Sequence, residues 1–389
     1  MASLLSIRCR LYPTMMQEER LLETLETCRN LYNHFLFESR LSYREGYKIN
    51  HYEMSAIIPM LTKGKEIYSK VTQPVIDQFY RNISVLNALK KKKGIKIGKL
   101  RFKPKDRFKS FTYNQSGFHI LHDTSELKLS KIGRIRIVLH RKIEGLIKEI
   151  HIKKEQSGRW FANIVVASSR KSVVTHTAEV INKPVGLDVG IKNFAYDSDG
   201  HVVEHPTILN KSSRKLVKRQ RILSRRQLGS NNRNKQRVKV ARTHETIANQ
   251  RNDFLHKLSR QYVNKHDAIF VEDLHIDNMV KNKHLSKSIL DSSWSEFFRM
   301  LQYKAASAGI AFHKVLPFGT SQNCSKCGKV VKKTLAIRIH RCPYCGLEID
   351  RDHNASINIL RKGMKDILKL PMEPREFTPL EIEPIHTIY

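Results

Sequence analysis

Four of the six cysteines stand in two Cys-x-x-Cys pairs, and a glycine follows each pair. The four are Cys324, Cys327, Cys342 and Cys345. Fourteen residues separate the pairs, and a hairpin over residues 332–341 would bring the four thiolates around one tetrahedral ion. Because four thiolates leave no open position, and because disulfides are disfavoured inside a cell, we predict a structural Zn²⁺.

Three acidic residues stand at the ends of apolar elements. Asp188 lies where the strand pattern 185–189 runs into a glycine turn, Glu272 ends the apolar run 268–271, and Asp352 begins a helical pattern. Buried carboxylates are costly unless a cation neutralises them, and hard divalent cations prefer oxygen ligands. We therefore predict a site for Mg²⁺ (or Mn²⁺) that hydrolyses phosphodiesters by in-line displacement.

Each acid also has an ordinary structural explanation when taken alone. The glycines around Asp188 can form a tight turn, Glu272 can pair with a cation, and Asp352 can cap its helix. Asp273 and Asp350 stand within two residues of the chosen acids and are their competitors. The order and setting of the three acids together favour the metal site.

The charge of the chain predicts a polyanionic partner. There are 71 Lys and Arg residues against 36 Asp and Glu, for a formal net charge of +35. No run approaches the roughly 18 to 20 apolar residues of a membrane-spanning helix, and the N-terminus lacks the apolar core of a signal peptide. We expect an intracellular protein that binds nucleic acid.

The first half of the chain mixes helix and strand patterns. Residues 4–12 predict a strand, and the capping box Thr14–Gln17 predicts the start of a helix. A second helical pattern spans about 73–91, and short strands are expected from about 127 to 167. We expect the N-terminal strand to pair with these strands, so that the helices are inserted between them.

The second half has the alternation of strands and helices that is typical of an α/β domain. Strand patterns fall at 185–189, 268–271 and 311–315, and helical patterns at 212–228, 235–264 and 293–309. The two longest helical patterns and the lysine-rich stretch 90–105 are dense in basic residues. Such density favours a nucleic-acid surface over a merely solvated face.

These motifs resemble those of the TnpB family, compact RNA-guided DNA endonucleases of bacterial and archaeal insertion sequences, related to miniature type V CRISPR effectors. Residues 186–191 resemble the first RuvC motif, 271–274 the second and 350–355 the third. Residues 320–324 lead into the zinc ribbon as in that family. By this resemblance Asp188, Glu272 and Asp352 are the catalytic acids, the last preferred to Asp350 because it directly precedes the run His-Asn-Ala.

The resemblance implies a multidomain fold of α+β and α/β type. A wedge-like β-barrel with an inserted helical recognition lobe would precede an RNase H-like RuvC domain with an inserted four-cysteine zinc ribbon. The expected ranges are 1–13 and 100–180 for the barrel, 14–99 for the lobe, 181–319 and 347–369 for the RuvC domain, 320–346 for the ribbon and 370–389 for a disordered tail.

The resemblance also implies a Mg²⁺-dependent DNA endonuclease. The protein would bind a guide RNA from its insertion sequence, recognise a short motif beside the target, open double-stranded DNA and cut it. We expect no membrane partner, no protein oligomer, and a prokaryotic cytoplasmic location at the nucleoid. The expected nucleic-acid contacts are Gln78, Arg81, Tyr113, Asn114, Arg219, Arg225 and Arg226.

Three alternatives stay open. A nuclease-inactive RNA-guided repressor would bind the same partners, although the intact acids argue against it. A zinc-ribbon nucleic-acid-binding protein accessory to a transposase would leave the acids unexplained. A transposase with three carboxylates is the third, and the position of the ribbon between the second and third acids favours the RNA-guided nuclease.

Overall fold

The computed structural model describes residues 3–91, 98–168, 181–274, 293–334 and 337–369. The chain divides into two compact units near residue 171, and the described residues of the first end at 168 while those of the second run from 181 to 369. The predicted tail 370–389 and most of the predicted linker near 168–182 lie outside the described residues. Within the described ranges, no helix is both long and apolar enough to cross a membrane.

The first unit opens with strand β1 (Ser3–Tyr12) and helix α1 (Met15–Arg44). The predicted capping box is present, because the Thr14 hydroxyl accepts the Gln17 N–H and the Gln17 side chain accepts the Thr14 N–H. The other helical elements of this unit are α2 (His51–Ala56), α3 (Ile58–Thr62), a 3₁₀ turn (Ser69–Val71) and α4 (Gln73–Lys90).

The strands of the first unit form one antiparallel sheet of seven strands in the order β2-β6-β7-β1-β5-β4-β3. They are β1, β2 (Ser110–Asn114), β3 (Phe118–Leu121), β4 (Glu126–Leu129), β5 (Gly133–Val138), β6 (Leu146–Lys154) and β7 (Trp160–Ser168). The predicted pairing of the N-terminal strand is confirmed, because Leu11 lies opposite both Ile137 and Trp160. With β2 and β3 at its edges, the sheet is a half-barrel, where a wedge-like β-barrel was predicted.

The second unit contains a five-stranded sheet in the order β10-β9-β8-β11-β12, in which β8, β11 and β12 are parallel. The strands are β8 (Pro184–Val189), β9 (Ala195–Asp197), β10 (Val202–Val203), β11 (Ala268–Glu272) and β12 (Ala311–Val315). The helices are α5 (Thr207–Ser224), α6 (Asn231–Lys265), α7 (Trp294–Ala308) and α8 (Arg351–Lys369).

The two faces of this sheet are covered by different helices. Val185, Leu187, Ile269 and Val271 are buried in one core with α6 and α7. Residues at the alternate positions of β8 and β11 face α8, because successive side chains of a strand point to opposite faces. The sheet therefore separates the long basic helix α6 from α8.

The cysteine-rich region contains a two-stranded hairpin. Strand β13 (Ile339–Arg341) pairs with β14 (Glu348–Asp350), so the hairpin encloses the second cysteine pair. The hairpin predicted within residues 332–341 has its tip outside the described residues and stays a prediction. The turn of the second cysteine pair itself reverses the chain, with Gly346 at a φ of +72° that glycine tolerates.

Candidate active site and zinc ribbon

Two of the predicted acids stand next to each other in the sheet. Strands β8 and β11 are parallel, with Val271 opposite Leu187. Asp188 and Glu272 occupy the next position on each strand. Because both are one residue beyond positions that face α6 and α7, their carboxylates lie on the face that α8 covers.

Helix α8 packs so closely on this face that two glycines are required. A Cβ atom added to Gly186 of β8 would lie 2.2 Å from the Ser356 carbonyl oxygen. A Cβ atom added to Gly363 of α8 would lie 1.9 Å from the Phe270 ring. The backbone of α8 therefore packs directly against the backbone of β8 at Gly186. At Gly363 it packs against the Phe270 ring of β11.

The first turn of α8 carries the third acid to the ends of these strands. Asp350 caps the helix, because its Oδ1 accepts the N–H of Asp352 at 2.8 Å. A Cβ atom on Gly190, just beyond β8, would lie 4.0 Å from Asp352 Oδ2. The other competitor, Asp273, forms an ion pair of 3.2 Å with Lys314. Both competitors thus have structural roles.

Asp188 lies in the electrostatic field of the other two acids. Burial raises the pKa of Asp188 well above its ordinary 3.8, and the charges of Glu272 and Asp352 raise it further, against the opposing charge of Arg351. Burial also raises the pKa of Glu272, while a hydrogen bond from Thr320 and the charge of Lys362 oppose that rise. Such a cluster is stabilised by a bound cation.

Two arginines flank Asp352. Arg351 Nη2 lies 3.2 Å from Oδ1, and Arg338 Nη1 lies 3.7 Å from Oδ2. Arg338 belongs to the segment between the cysteine pairs, and its carbonyl oxygen accepts the N–H of Arg351 at 2.7 Å. These contacts offset part of the charge of Asp352 and tie the ribbon segment to the start of α8.

Thr320 was not among the predicted site residues. Its hydroxyl donates a hydrogen bond to Glu272 Oε1 and also lies 3.0 Å from the Pro317 carbonyl oxygen. Only one of these acceptors can receive the single hydroxyl proton, and an ionised carboxylate is the stronger acceptor. The signal in the sequence was weak, because Thr320 and Glu272 are 48 residues apart.

Asn354 and Asn358 were also missed as site residues. Asn354 is fully buried, and its side chain accepts the Ser325 N–H and donates to the Asn323 carbonyl oxygen, both at 2.8 Å. Asn358 Nδ2 donates to the carbonyl oxygens of Thr320 at 2.8 Å and Asn323 at 2.7 Å. Their spacing of four residues places both amides on one face of α8.

The four cysteines meet as the sequence predicts. Cys324 Sγ lies 3.6 Å from Cys345 Sγ, and Cys327 Sγ lies 3.6 Å from Cys342 Sγ. Thiolates bound 2.3 Å from a tetrahedral ion would be about 3.8 Å apart, so the cluster has nearly the required size. Burial opposes ionisation of Cys342, but backbone N–H groups of residues 344 and 345 lower its pKa to about 6.

The two cysteine turns share one backbone pattern. Gly328 N–H donates to the Cys324 carbonyl oxygen at 2.9 Å, and Gly346 N–H donates to that of Cys342 at 3.0 Å. Both glycines have positive φ, +75° and +72°. Because a side chain is strained at such angles, the pattern explains the glycine that follows each pair.

Two groups among the described residues have ligand atoms within 4.8 Å of one another and could hold a metal ion. One is the four-cysteine cluster, and the other, which the sequence analysis did not name, is Asp197, Asp199 and His201. The three predicted acids form a wider group.

The Asp197 group lies on the other face of the sheet. Asp197 is opposite Leu187 in the pairing of β8 with β9, and it accepts a hydrogen bond of 3.3 Å from the Tyr262 hydroxyl of α6. Its Oδ1 also accepts the N–H groups of Asp199 at 3.1 Å and His201 at 2.8 Å. These bonds explain the cluster as a turn between β9 and β10.

Three family models match the chain. The one described as "Probable transposase" matches residues 163–283, and the one described as "Cas12f1-like, TNB domain" matches residues 294–359. The third, "Helix-turn-helix domain", matches residues 1–48, whose described part forms β1 and the single helix α1 here.

A protein of Streptomyces pristinaespiralis, named "Putative RNA-guided DNA endonuclease", is 32% identical over 369 residues, or 92% of this chain and 89% of that one. The chain belongs to the TnpB family of RNA-guided DNA endonucleases. The Escherichia coli K12 member "Putative RNA-guided DNA endonuclease InsQ" is 33% identical over 304 residues, 74% of each chain. The "CRISPR-associated endodeoxyribonuclease Cas12f1" of Sulfoacidibacillus thermotolerans is 26% identical over 231 residues, 56% of this chain and 53% of that one. The family predicted from the motifs is confirmed.

The nucleic-acid contacts expected from the TnpB resemblance have different surroundings in the first unit. Gln78 and Arg81 are exposed on α4, and Asn114 is half-buried at the end of β2. Tyr113 is 1% exposed, and its hydroxyl donates to the Ser130 carbonyl oxygen at 2.7 Å. The prediction for Tyr113 was wrong, because its side chain points from β2 into the core.

The arginines expected to contact nucleic acid in the second unit also differ. Arg219 Nη1 donates to the Lys239 carbonyl oxygen at 3.0 Å and to the Thr243 hydroxyl at 2.6 Å, so it braces α5 against α6. Arg225 and Arg226 are exposed at the end of α5. Their contact with nucleic acid stays a prediction.

Proposed function

We propose that this protein is an RNA-guided DNA endonuclease with a single active site formed by Asp188, Glu272 and Asp352. The observation that supports the proposal best is the placement of Asp188 and Glu272 at neighbouring positions of the parallel strands β8 and β11, with Asp352 of α8 beside the end of β8. This arrangement occurs in a chain that is 32% identical to a family member along almost its whole length. Family membership supports a guide RNA and a DNA target as the partners. The three acids support hydrolysis of phosphodiester bonds as the reaction.

In the proposed site, Asp188 and Glu272 supply oxygen ligands from the sheet and Asp352 supplies one from α8. Bound Mg²⁺ (or Mn²⁺) would activate a water molecule and stabilise the leaving oxygen of the phosphodiester. Asp350 holds the first turn of α8, and Thr320 holds Glu272. The chain thus keeps three mutually repelling carboxylates in place before a cation binds.

The partners and the second metal belong to the same proposal. The four cysteines would hold a structural Zn²⁺, because their sulfur separations suit a tetrahedral ion. The guide RNA would come from the insertion sequence, and the protein would recognise a short motif beside its double-stranded target. The net charge of +35 supports a polyanionic partner but no particular sequence.

The predicted domain limits are part of this proposal. The division of the chain near residue 171 supports a boundary between the wedge-like half-barrel and the RuvC domain that begins near 181. The chain passes from β14 directly into α8, which supports a zinc ribbon inserted before the last RuvC helix.

The test is to express the protein with its flanking genomic DNA, sequence the RNA that co-purifies, and assay cleavage of a matching DNA library with Mg²⁺. A discrete RNA with a variable end that directs cleavage would support the proposal. Heterogeneous RNA and no guided cleavage would contradict it.

A second candidate is DNA strand transfer, which the description "Probable transposase" over residues 163–283 favours. Three carboxylates can serve that reaction as well, with a DNA 3′ hydroxyl in place of water. Incubation with the element ends separates the two: joined products that form without guide RNA would support strand transfer.

A further inference from the structure

The segment that leads into the first cysteine pair contacts both a catalytic acid and α8. Thr320 donates to Glu272 through its side chain, and its backbone carbonyl accepts from Asn358. Thr320 is 4% exposed, so its hydrogen bond is shielded from water. A charge-assisted hydrogen bond in such surroundings restricts the carboxylate strongly.

The same segment is fixed at several further points. Lys362 Nζ donates to the carbonyl oxygens of Leu316 at 2.9 Å and Phe318 at 2.5 Å. Asn354 holds Asn323 and Ser325, the residues on either side of Cys324. Residues 316–325 are therefore bound along one side of α8, whose first turn carries Asp352.

Arg338, which directly precedes β13 of the ribbon, reaches the third acid. Arg338 Nη1 lies 3.7 Å from Asp352 Oδ2, and its carbonyl oxygen accepts the Arg351 N–H. The segment from 316 to 338 thus contacts two of the three acids, Glu272 through Thr320 and Asp352 through Arg338.

We propose that Thr320 is a positioning residue for Glu272, and that Asn354 and Asn358 fix Thr320 by joining the first cysteine turn to α8. The zinc ribbon then supports the catalytic acids directly, in addition to any contact it makes with nucleic acid. This inference rests on the proposed function, because it gives Thr320 a role at the same acids. Thr320 acts through Glu272 and touches no substrate in this account.

The test compares Thr320→Val, which removes the hydroxyl at nearly constant volume, with Thr320→Ser, which keeps it. Mn²⁺ binding to the full chain is measured by electron paramagnetic resonance, and guided cleavage is measured over a range of Mg²⁺ concentrations. We expect Thr320→Val to weaken Mn²⁺ binding and raise the half-saturating Mg²⁺ concentration by roughly 10-fold to 100-fold, the range of one charge-assisted hydrogen bond. Thr320→Ser should stay within about threefold of wild type, since its hydroxyl makes the same bond.

A third variant, Asn358→Leu, tests the connection to α8. It removes both amide donors that hold Thr320 and Asn323, and we expect the same change in Mn²⁺ binding while the chain keeps its zinc. Zinc content and melting temperature are measured for every variant. Equal loss in Thr320→Val and Thr320→Ser would overturn the inference, because that pattern indicates damaged packing.

Failure of the proposed function can be distinguished from failure of this inference. Mn²⁺ binding requires no cleavage, so an inactive wild type that binds Mn²⁺ through a Thr320-dependent site would contradict the proposed function alone. Cleavage and Mn²⁺ binding that are unchanged in Thr320→Val would overturn the inference alone.

Discussion

Gly186→Ala is the substitution that tests most sharply how α8 is placed on the sheet. The new Cβ atom would lie 2.2 Å from the Ser356 carbonyl oxygen and 2.6 Å from the Leu360 nitrogen. Both are backbone atoms, so a side chain cannot turn away to relieve the contact. Ordinary contact begins near 3.4 Å, which requires α8 to move by about 1.2 Å.

The expected cost has two parts. Overpacking of this kind destabilises a protein by about 3 kcal/mol, which lowers the melting temperature of a unit of this size by roughly 6 to 12 °C. The same shift would displace Asp352, and a misplacement of about 1 Å in a catalytic group can lower the rate by roughly 100-fold. We therefore expect a cleavage defect even at temperatures where the variant is folded.

The assay is calorimetric melting together with guided cleavage, and Gly98→Ala is the matched control. A Cβ atom on Gly98 meets no atom within 4 Å, and Gly98 has no positive φ. The control should melt and cleave like the wild type. If Gly186→Ala behaved in the same way as Gly98→Ala, the direct packing of α8 on β8 would be refuted.

Three further predictions concern the acids, the zinc and the basic helices. Folding raises the pKa of Asp188, so without metal the contribution of this residue to stability falls as the pH rises from 3.8 toward the raised pKa. Asp188→Asn should therefore raise the melting temperature of EDTA-treated protein at pH 7. An unchanged or lower melting temperature would contradict this. Cys324→Ser should lower the zinc content, measured by plasma mass spectrometry, and destabilise the ribbon; full zinc content would argue against the four-thiolate site. Arg219→Ala should destabilise the α5–α6 pair by about 1 to 3 kcal/mol in thermal melts. Arg225→Ala should leave stability unchanged, and should reduce by about one unit the slope of log binding constant against log salt concentration for nucleic acid. The reverse pattern would refute both assignments.

The cysteine cluster and the neighbouring positions of Asp188 and Glu272 could be predicted because local sequence marks them. Asp188 and Glu272 each stand at the end of an apolar strand, where a buried carboxylate is costly without a cation, and a glycine that permits a tight turn follows each cysteine pair. The limits of α4 and α7 also followed from sequence, since they span Gln73–Lys90 and Trp294–Ala308 where about 73–91 and 293–309 were expected. By contrast, α5 begins at Thr207 rather than near 212, and α6 begins at Asn231 rather than near 235. Local patterns of this kind require no knowledge of distant contacts.

Other features could not be read from local pattern. Thr320 matters because of a partner 48 residues away, and nothing near it in sequence indicates Glu272. Strands β9 and β10 are three and two residues long, too short to show alternation. Tyr113 could have been read correctly, because Phe111 and Tyr113 occupy alternate positions of β2 and both point into the core.

The central claim is that the three acids on the α8 face, rather than the Asp197 group on the α6 face, form the cutting site. Guided cleavage of one matched DNA should be measured for wild type, Asp188→Asn and Asp199→Asn, after equal RNA loading has been verified. We predict that Asp188→Asn cleaves at least roughly 100-fold more slowly and that Asp199→Asn, whose side chain is exposed, cleaves like the wild type. Normal cleavage by Asp188→Asn, together with loss in Asp199→Asn, would contradict the claim.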